Sequence, residues 1–183
     1  MWWDEIFGER RYRIEKNKKI PERPGWDRHF LKLAADYSLR ATCLRRQYGA
    51  IIVDTKKRLV SAGYCGAPRG VNNCLERGEC YRRIYNIPSG EKYELCMSIH
   101  AEENAILFCD DKNRLEGATL YLAGWDVEKE MPSFSPPCIL CAKKIIQVGI
   151  EKIVLFEQNG GVRTIEVSTI ADKLSKGDFS YPY

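Results

Sequence analysis

A chain of 183 residues can bury one sizeable core without cross-links to help it fold. Hydrophobic residues make up 44% and charged residues 30%, which excludes a fibrous, low-complexity or disordered chain. No apolar run approaches the roughly 18 residues a membrane span needs, and the acids and arginines of MWWDEIFGERR leave no room for a secretory signal. The expectation is a cytoplasmic protein with no membrane partner. The net charge of +4 is matched by residues 9–19 alone, which hold six basic and two acidic side chains. A nucleic-acid surface would spread its basic residues over the fold, so the run is read as a solvated extension, with polyanion contact as the alternative.

The first 25 residues are charged and end at IPERPG, where two prolines and a glycine punctuate the chain. From Trp26 the apolar residues Trp26, Phe30, Leu33, Ala34, Tyr37 and Ala41 fall close to helical spacing, with Asp27 placed to cap the helix. YGAIIVD (48–54) and KKRLVSAGYC (56–65) are β-rich runs around a charged turn and predict a hairpin. Residues 66–97 are rich in glycine, proline, charge and cysteine. They predict a long functional or metal-stapled loop with one short helix near 79–85. HAEENAILFCDD predicts a helix, ATLYLAG (118–124) a strand, and WDVEKEMPSFSPP a loop. Pro137 opens a helix over PCILCAKKIIQVG that Gly149 ends. KIVLFEQ (152–158) is a further strand, and VRTIEV with STIADKLSK gives a strand or turn and a last helix. Alternation of this kind predicts an α/β fold, a three-layer sandwich around a mixed sheet.

Eight cysteines in a reducing compartment argue for metal ligation or catalysis rather than disulfides. Cys138 and Cys141 form a Cys-x-x-Cys pair at a predicted helix start, close enough to share one ion. Of the two histidines, His29 and His100, the second opens a helix within SIHAEENAI. Two thiolates and an imidazole select zinc and leave a fourth position open, the arrangement of a catalytic site. Glu102, two residues from His100, is then suited to serve as general base and acid. H-x-E paired with P-C-x-x-C is the pattern of the zinc deaminases that act on nucleobases.

TCLRRQYGAIIVD (42–54), GYCGAPRG (63–70), IPSGEKYELCMSIHAEENAI (87–106) and SPPCILCAKKIIQVGI (135–150) together resemble the cytidine and deoxycytidylate deaminase superfamily. They are most similar to its deoxycytidylate (dCMP) deaminase branch, from about Trp26 to Gln158. The transfer RNA adenosine deaminases share the zinc motif but not the cysteine-rich loop. The resemblance implies a mixed five-stranded sheet with helices on both faces, in one zinc-dependent deaminase domain over 26–183 that follows an extension over 1–25. It implies hydrolysis of dCMP to dUMP and ammonia in pyrimidine deoxynucleotide metabolism. Deamination of dCTP or another cytosine nucleotide, or of a base in a polynucleotide, is the alternative. His100, Cys138 and Cys141 become ligands of a catalytic zinc, and Glu102 the proton shuttle. The partner is a small nucleotide rather than nucleic acid, and the assembly a homo-oligomer, with a hexamer common in this branch.

Relatives carry Gly-Tyr-Asn-Gly where this chain has Gly63-Tyr64-Cys65-Gly66, a stretch tied to nucleotide recognition and to regulation by dCTP and dTTP. Cys65 lacks the paired donor and acceptor of an amide. Tyr64, Cys65 and Arg69 are the substrate-contact candidates, with Arg69, Arg45, Arg46 and Lys92 for a phosphate and Tyr93 and Trp125 for stacking on the base. Cys43, Cys74, Cys80 and Cys96 remain near the long loop. They form either a second, structural zinc site, as in some relatives, or a set of buried free thiols. Cys109 is assigned to packing.

Overall fold

Period-two alternation sorts the central strands onto two faces. The computed structural model describes residues 23–88 and 90–179; the expected extension over 1–25 lies, up to residue 22, outside them. In β1 (Arg46–Val53), Ile51 and Val53 face one way and Ala50 and Ile52 the other. In β3 (Thr119–Asp126), Tyr121 and Ala123 oppose Leu120 and Leu122; in β5 (Lys152–Phe156), Val154 opposes Ile153 and Leu155. A sheet with two apolar faces needs a cover on each. Helix α1 (Trp26–Ser38) covers the first with Phe30, Leu31 and Ala34. The second is covered by α4 (Ala101–Leu107), α5 (Ile139–Gln147) and α6 (Val167–Ser175), through Ala101, Ala105, Ala142, Ile145 and Ile170.

The strand order is β2-β1-β3-β5-β6, with β2 spanning Leu59–Tyr64 and β6 Val162–Glu166. Only β3 and β5 run parallel, Thr119 opposite Lys152; the other pairs are antiparallel. The five-stranded mixed sheet expected from the sequence is therefore present, with one addition. The segment 125–137, predicted as loop, contains a short strand β4 (Met131–Ser133). It pairs with Gly124–Asp126 on the side of β3 that β5 leaves free beyond Leu122. An unpaired stretch of edge accounts for it, and no local alternation announced it.

Two glycines let the helices approach the hairpin. A Cβ on Gly49 would lie 2.1 Å from the Ala34 carbonyl oxygen, and one on Gly63 would lie 2.4 Å from the Ala105 nitrogen. The cysteine-rich segment holds two short helices instead of one, α2 (Cys74–Arg77) and α3 (Tyr81–Ile84). A capping box starts α2, with Asn73 accepting from the Glu76 N–H while the Glu76 carboxylate accepts from the Asn73 N–H. Asp27 does not cap α1. Gly25 occupies that position, and the Asp27 carboxylate accepts the buried Tyr121 hydroxyl at 2.8 Å.

Candidate metal centre and active site

His100 is the N-cap residue of α4, and Cys138 that of α5. These helices pack side by side on one face of the sheet, so their first turns meet. His100 Nδ1 lies 3.4 Å from the Cys138 sulfur and 3.4 Å from the Cys141 sulfur. Among the described residues this is the one group of three or more such side chains whose ligand atoms all lie within 4.8 Å of one another. A tetrahedral zinc with bonds of about 2.1 Å to nitrogen and about 2.3 Å to sulfur would set those atoms about 3.6 Å apart. The donor set and its spacing fit zinc.

The electrostatics already favour the thiolate at Cys138. Cys138 is pulled down to about 4, first by the Cys141 thiol hydrogen bond and then by the His100 imidazole. Cys141 is pushed up, chiefly because it is the donor in that pair, and burial adds to the effect. Burial opposes charge on His100, but the Cys138 hydrogen bond and the charges of Glu102, Cys138 and Glu103 raise it to about 9. Glu102, in the first turn of α4, is only 4% exposed. Burial raises its carboxyl, against the opposing pull of His100. Glu103 instead points across to Lys144 of α5 and ties the two helices by an ion pair.

A cavity of about 220 Å³ opens on this group, and His100, Glu102 and Cys138 line it. Arg45, Arg46, Cys65 and Tyr93 also reach its wall, whereas Tyr64, Arg69, Lys92 and Trp125 do not. Arg69 lies over the Phe108 ring at 6.0 Å, and Tyr64 offers its carbonyl to the Asn104 side chain at 2.8 Å. The Cys65 sulfur accepts the Tyr48 N–H at 3.2 Å and donates to the Arg46 carbonyl at 3.1 Å. Its thiol thus closes the open end of the hairpin, and burial pushes its pKa up to about 12. Arg46 is held by the buried Asp126 carboxylate at 2.5 Å. Arg45 Nε is buried and has no hydrogen-bond partner among the described residues.

Cys43, Cys74, Cys80 and Cys96 line the same cavity as free thiols. They are close enough to influence one another. Burial raises Cys74 to about 11, and Cys43, Cys80 and Cys96 add to the rise. No three of their sulfurs lie mutually within 4.8 Å. Cys109 is buried in the core beneath α4, as its packing assignment required.

Sequence reading passed over Tyr48 and Arg82, which also line the cavity. Alternation along β1 marks Tyr48, since Ala50 and Ile52 share its face and meet α4. Its hydroxyl pairs with Ser133 of β4 at 2.5 Å. Arg82 is one arginine in a charge-rich loop and carries no such signal.

Residues 24–157 match the family model described as the cytidine and deoxycytidylate deaminase zinc-binding region. The chain belongs to this deaminase family. Among its members, the deoxycytidylate deaminase of Mycobacterium phage D29 is 37% identical over 137 residues, covering 72% of this chain and 94% of the phage protein. Those of Schizosaccharomyces pombe and Saccharomyces cerevisiae are 34% and 36% identical over 72% and 76% of this chain. The matched stretches span only 37% and 40% of these two fungal deaminases. Among solved structures, the dCMP deaminase of cyanophage S-TIM5 is similar at 24% identity and a TM-score of 0.49, over 72% of this chain and 82% of the phage chain. Among the described residues, no helix is long and apolar enough to cross a membrane.

Proposed function

We propose that the chain is a zinc-dependent deoxycytidylate deaminase that converts dCMP and water to dUMP and ammonia. The observation that carries this reading is the buried Glu102 carboxylate, set in the wall of the same cavity as His100 and Cys138, whose ligand atoms group with that of Cys141. His100, Cys138 and Cys141 would hold the zinc. When bound, the ion lowers the pKa of water toward neutrality and so supplies a nucleophile. Glu102 takes a proton from the attacking water and passes it to N3 of cytosine while the water oxygen bonds to C4. It then delivers the water's second proton to the amino group. The C4–N4 bond breaks, ammonia leaves, and a uracil ring remains. A carboxyl raised by burial suits both halves of this cycle.

Arg45 is our assignment for the substrate 5′-phosphate. It lines the cavity with a buried Nε that makes no hydrogen bond among the described residues and faces only the distant Glu128 carboxylate at 3.9 Å, whereas Arg69 lies outside the cavity. Cys43, Cys74, Cys80 and Cys96 are proposed to hold a second, structural zinc, supported by all four lining the same cavity. Elemental analysis should then find two zinc ions per chain; a single ion would leave these four as free thiols. A homo-oligomer is the proposed assembly and the cytoplasm the proposed compartment, in keeping with eight reduced cysteines.

Ammonia release from dCMP, dCTP, cytidine and single-stranded DNA tests the activity. Release from dCMP ahead of the other three is the expected result, and none from dCMP would remove this reading.

A further inference from the structure

Arg82 is a buried cation in α3. It is 6% exposed, and it makes no ion pair with a carboxylate among the described residues. Its guanidinium instead donates to backbone: Nη1 to the Glu91 carbonyl at 2.5 Å and the Lys92 carbonyl at 3.0 Å, and Nη2 to the Pro88 carbonyl at 2.5 Å. The chain turns at Lys92 through a left-handed conformation, φ 44°, and presents Tyr93. Arg82 also stands over the Tyr93 ring at 5.1 Å from its centroid, within cation–π range. Tyr93 in turn meets the His100 imidazole edge to face, 5.5 Å between centroids at 86°. His100 Nδ1 faces the two sulfurs.

A metal-ligating histidine is ordinarily oriented through a hydrogen bond from its other ring nitrogen to a carboxylate, carbonyl or water. None of the hydrogen bonds among the described residues engages that nitrogen of His100, and the packed ring of Tyr93 takes its place. We infer that Arg82 and Tyr93 form a positioning clamp, in which Arg82 holds the backbone at Pro88, Glu91 and Lys92 so that Tyr93 sets the angle of the His100 imidazole toward Cys138 and Cys141. The inference rests on the zinc-deaminase reading for its effect on turnover, but its geometry does not depend on the substrate. A lysine cannot replace Arg82 here, because a point charge lacks the planar fork that reaches three carbonyls and lies over a ring.

Because His29 and His100 are the only histidines, the test uses the full chain, zinc-loaded and labelled with 15N-histidine. Arg82 is linked to His100 through its contact with Tyr93, so Arg82→Lys should shift the His100 ring signals and leave those of His29 in place. It should also lower kcat/KM on dCMP by about tenfold or more, the usual scale for an outer-shell partner of a metal ligand. Tyr93→Leu should do the same, and the Arg82→Lys/Tyr93→Leu double variant should be no worse than Tyr93→Leu alone. Unmoved His100 signals in Arg82→Lys, or losses that multiply in the double variant, would overturn the clamp. Should Arg82→Lys fail to fold, Tyr93→Phe against Tyr93→Leu decides. Phenylalanine keeps the ring and should restore the His100 signals, and equal disturbance by both would overturn the proposal. Coupled His100 shifts in a protein that releases no ammonia from dCMP would sustain the clamp and sink the deaminase reading.

Discussion

A buried carboxylate beside a cluster of metal donors is costly unless it is used, and Glu102 is 4% exposed. The Glu102→Gln variant keeps the size and loses the proposed proton shuttle. Turnover should fall by about 10²–10⁴-fold, the range of a general acid–base group, while zinc content by elemental analysis stays at the wild-type value. Unchanged turnover would remove Glu102 from the chemistry. Cys65 makes the opposite case, a residue singled out for recognition that is occupied structurally. Its sulfur receives the Tyr48 N–H and gives its proton to the Arg46 carbonyl. Cys65→Ala strands both backbone groups in a buried site. It should lower unfolding free energy by about 1–3 kcal/mol, read from urea denaturation, and Cys65→Ser should recover part of the loss. Equal stability of Cys65→Ala and wild type would show that the two contacts contribute nothing.

Elements explain why some of this was legible beforehand. Strands β1, β3 and β5 were readable because each is a short apolar run with β-branched residues, and the partition of their side chains follows from period two. The candidate donors His100, Cys138 and Cys141 were readable because residues 100–102 and 138–141 each compress a constellation into one helical turn. Strand β4 was not, since Met131–Ser133 owes its pairing to the edge that β5 vacates. The Arg82 clamp was not either. Its partners are backbone carbonyls and a ring, and neither leaves a mark in the order of residues. The closeness of α4 to the hairpin depends on Gly63, where a Cβ would meet the Ala105 nitrogen at 2.4 Å and the Ala101 carbonyl at 2.5 Å. Both obstacles are backbone, so Gly63→Ala must push the helix outward. The expected cost is about 1–3 kcal/mol in denaturation. Because His100 caps the displaced helix, the variant should also hold zinc more weakly in chelator competition. Wild-type zinc retention would mean that α4 can shift without carrying His100.

Over the whole molecule, the donors straddle the centre of the sheet in chain order. Ala50 of β1 pairs with Leu122 of β3, and His100 lies in the long stretch between them. Cys138 and Cys141 come only after β3, in the crossover that returns to lay β5 parallel beside it. Closing stretches of this length loses chain entropy before the contacts compensate, so sheets of this kind form slowly. The three donors cannot meet until both closures are complete, because α4 and α5 gain their common floor only then. In a Cys80→Ser background, which takes the proposed second zinc site out of play, refolding from denaturant should therefore proceed at the same rate in chelator as in zinc, with the ion slowing the unfolding arm alone. A folding arm accelerated by zinc would mean that the donors gather earlier than the sheet. The order of assembly makes the ion a late lock, and a chain that has captured it at this centre has already finished its sheet.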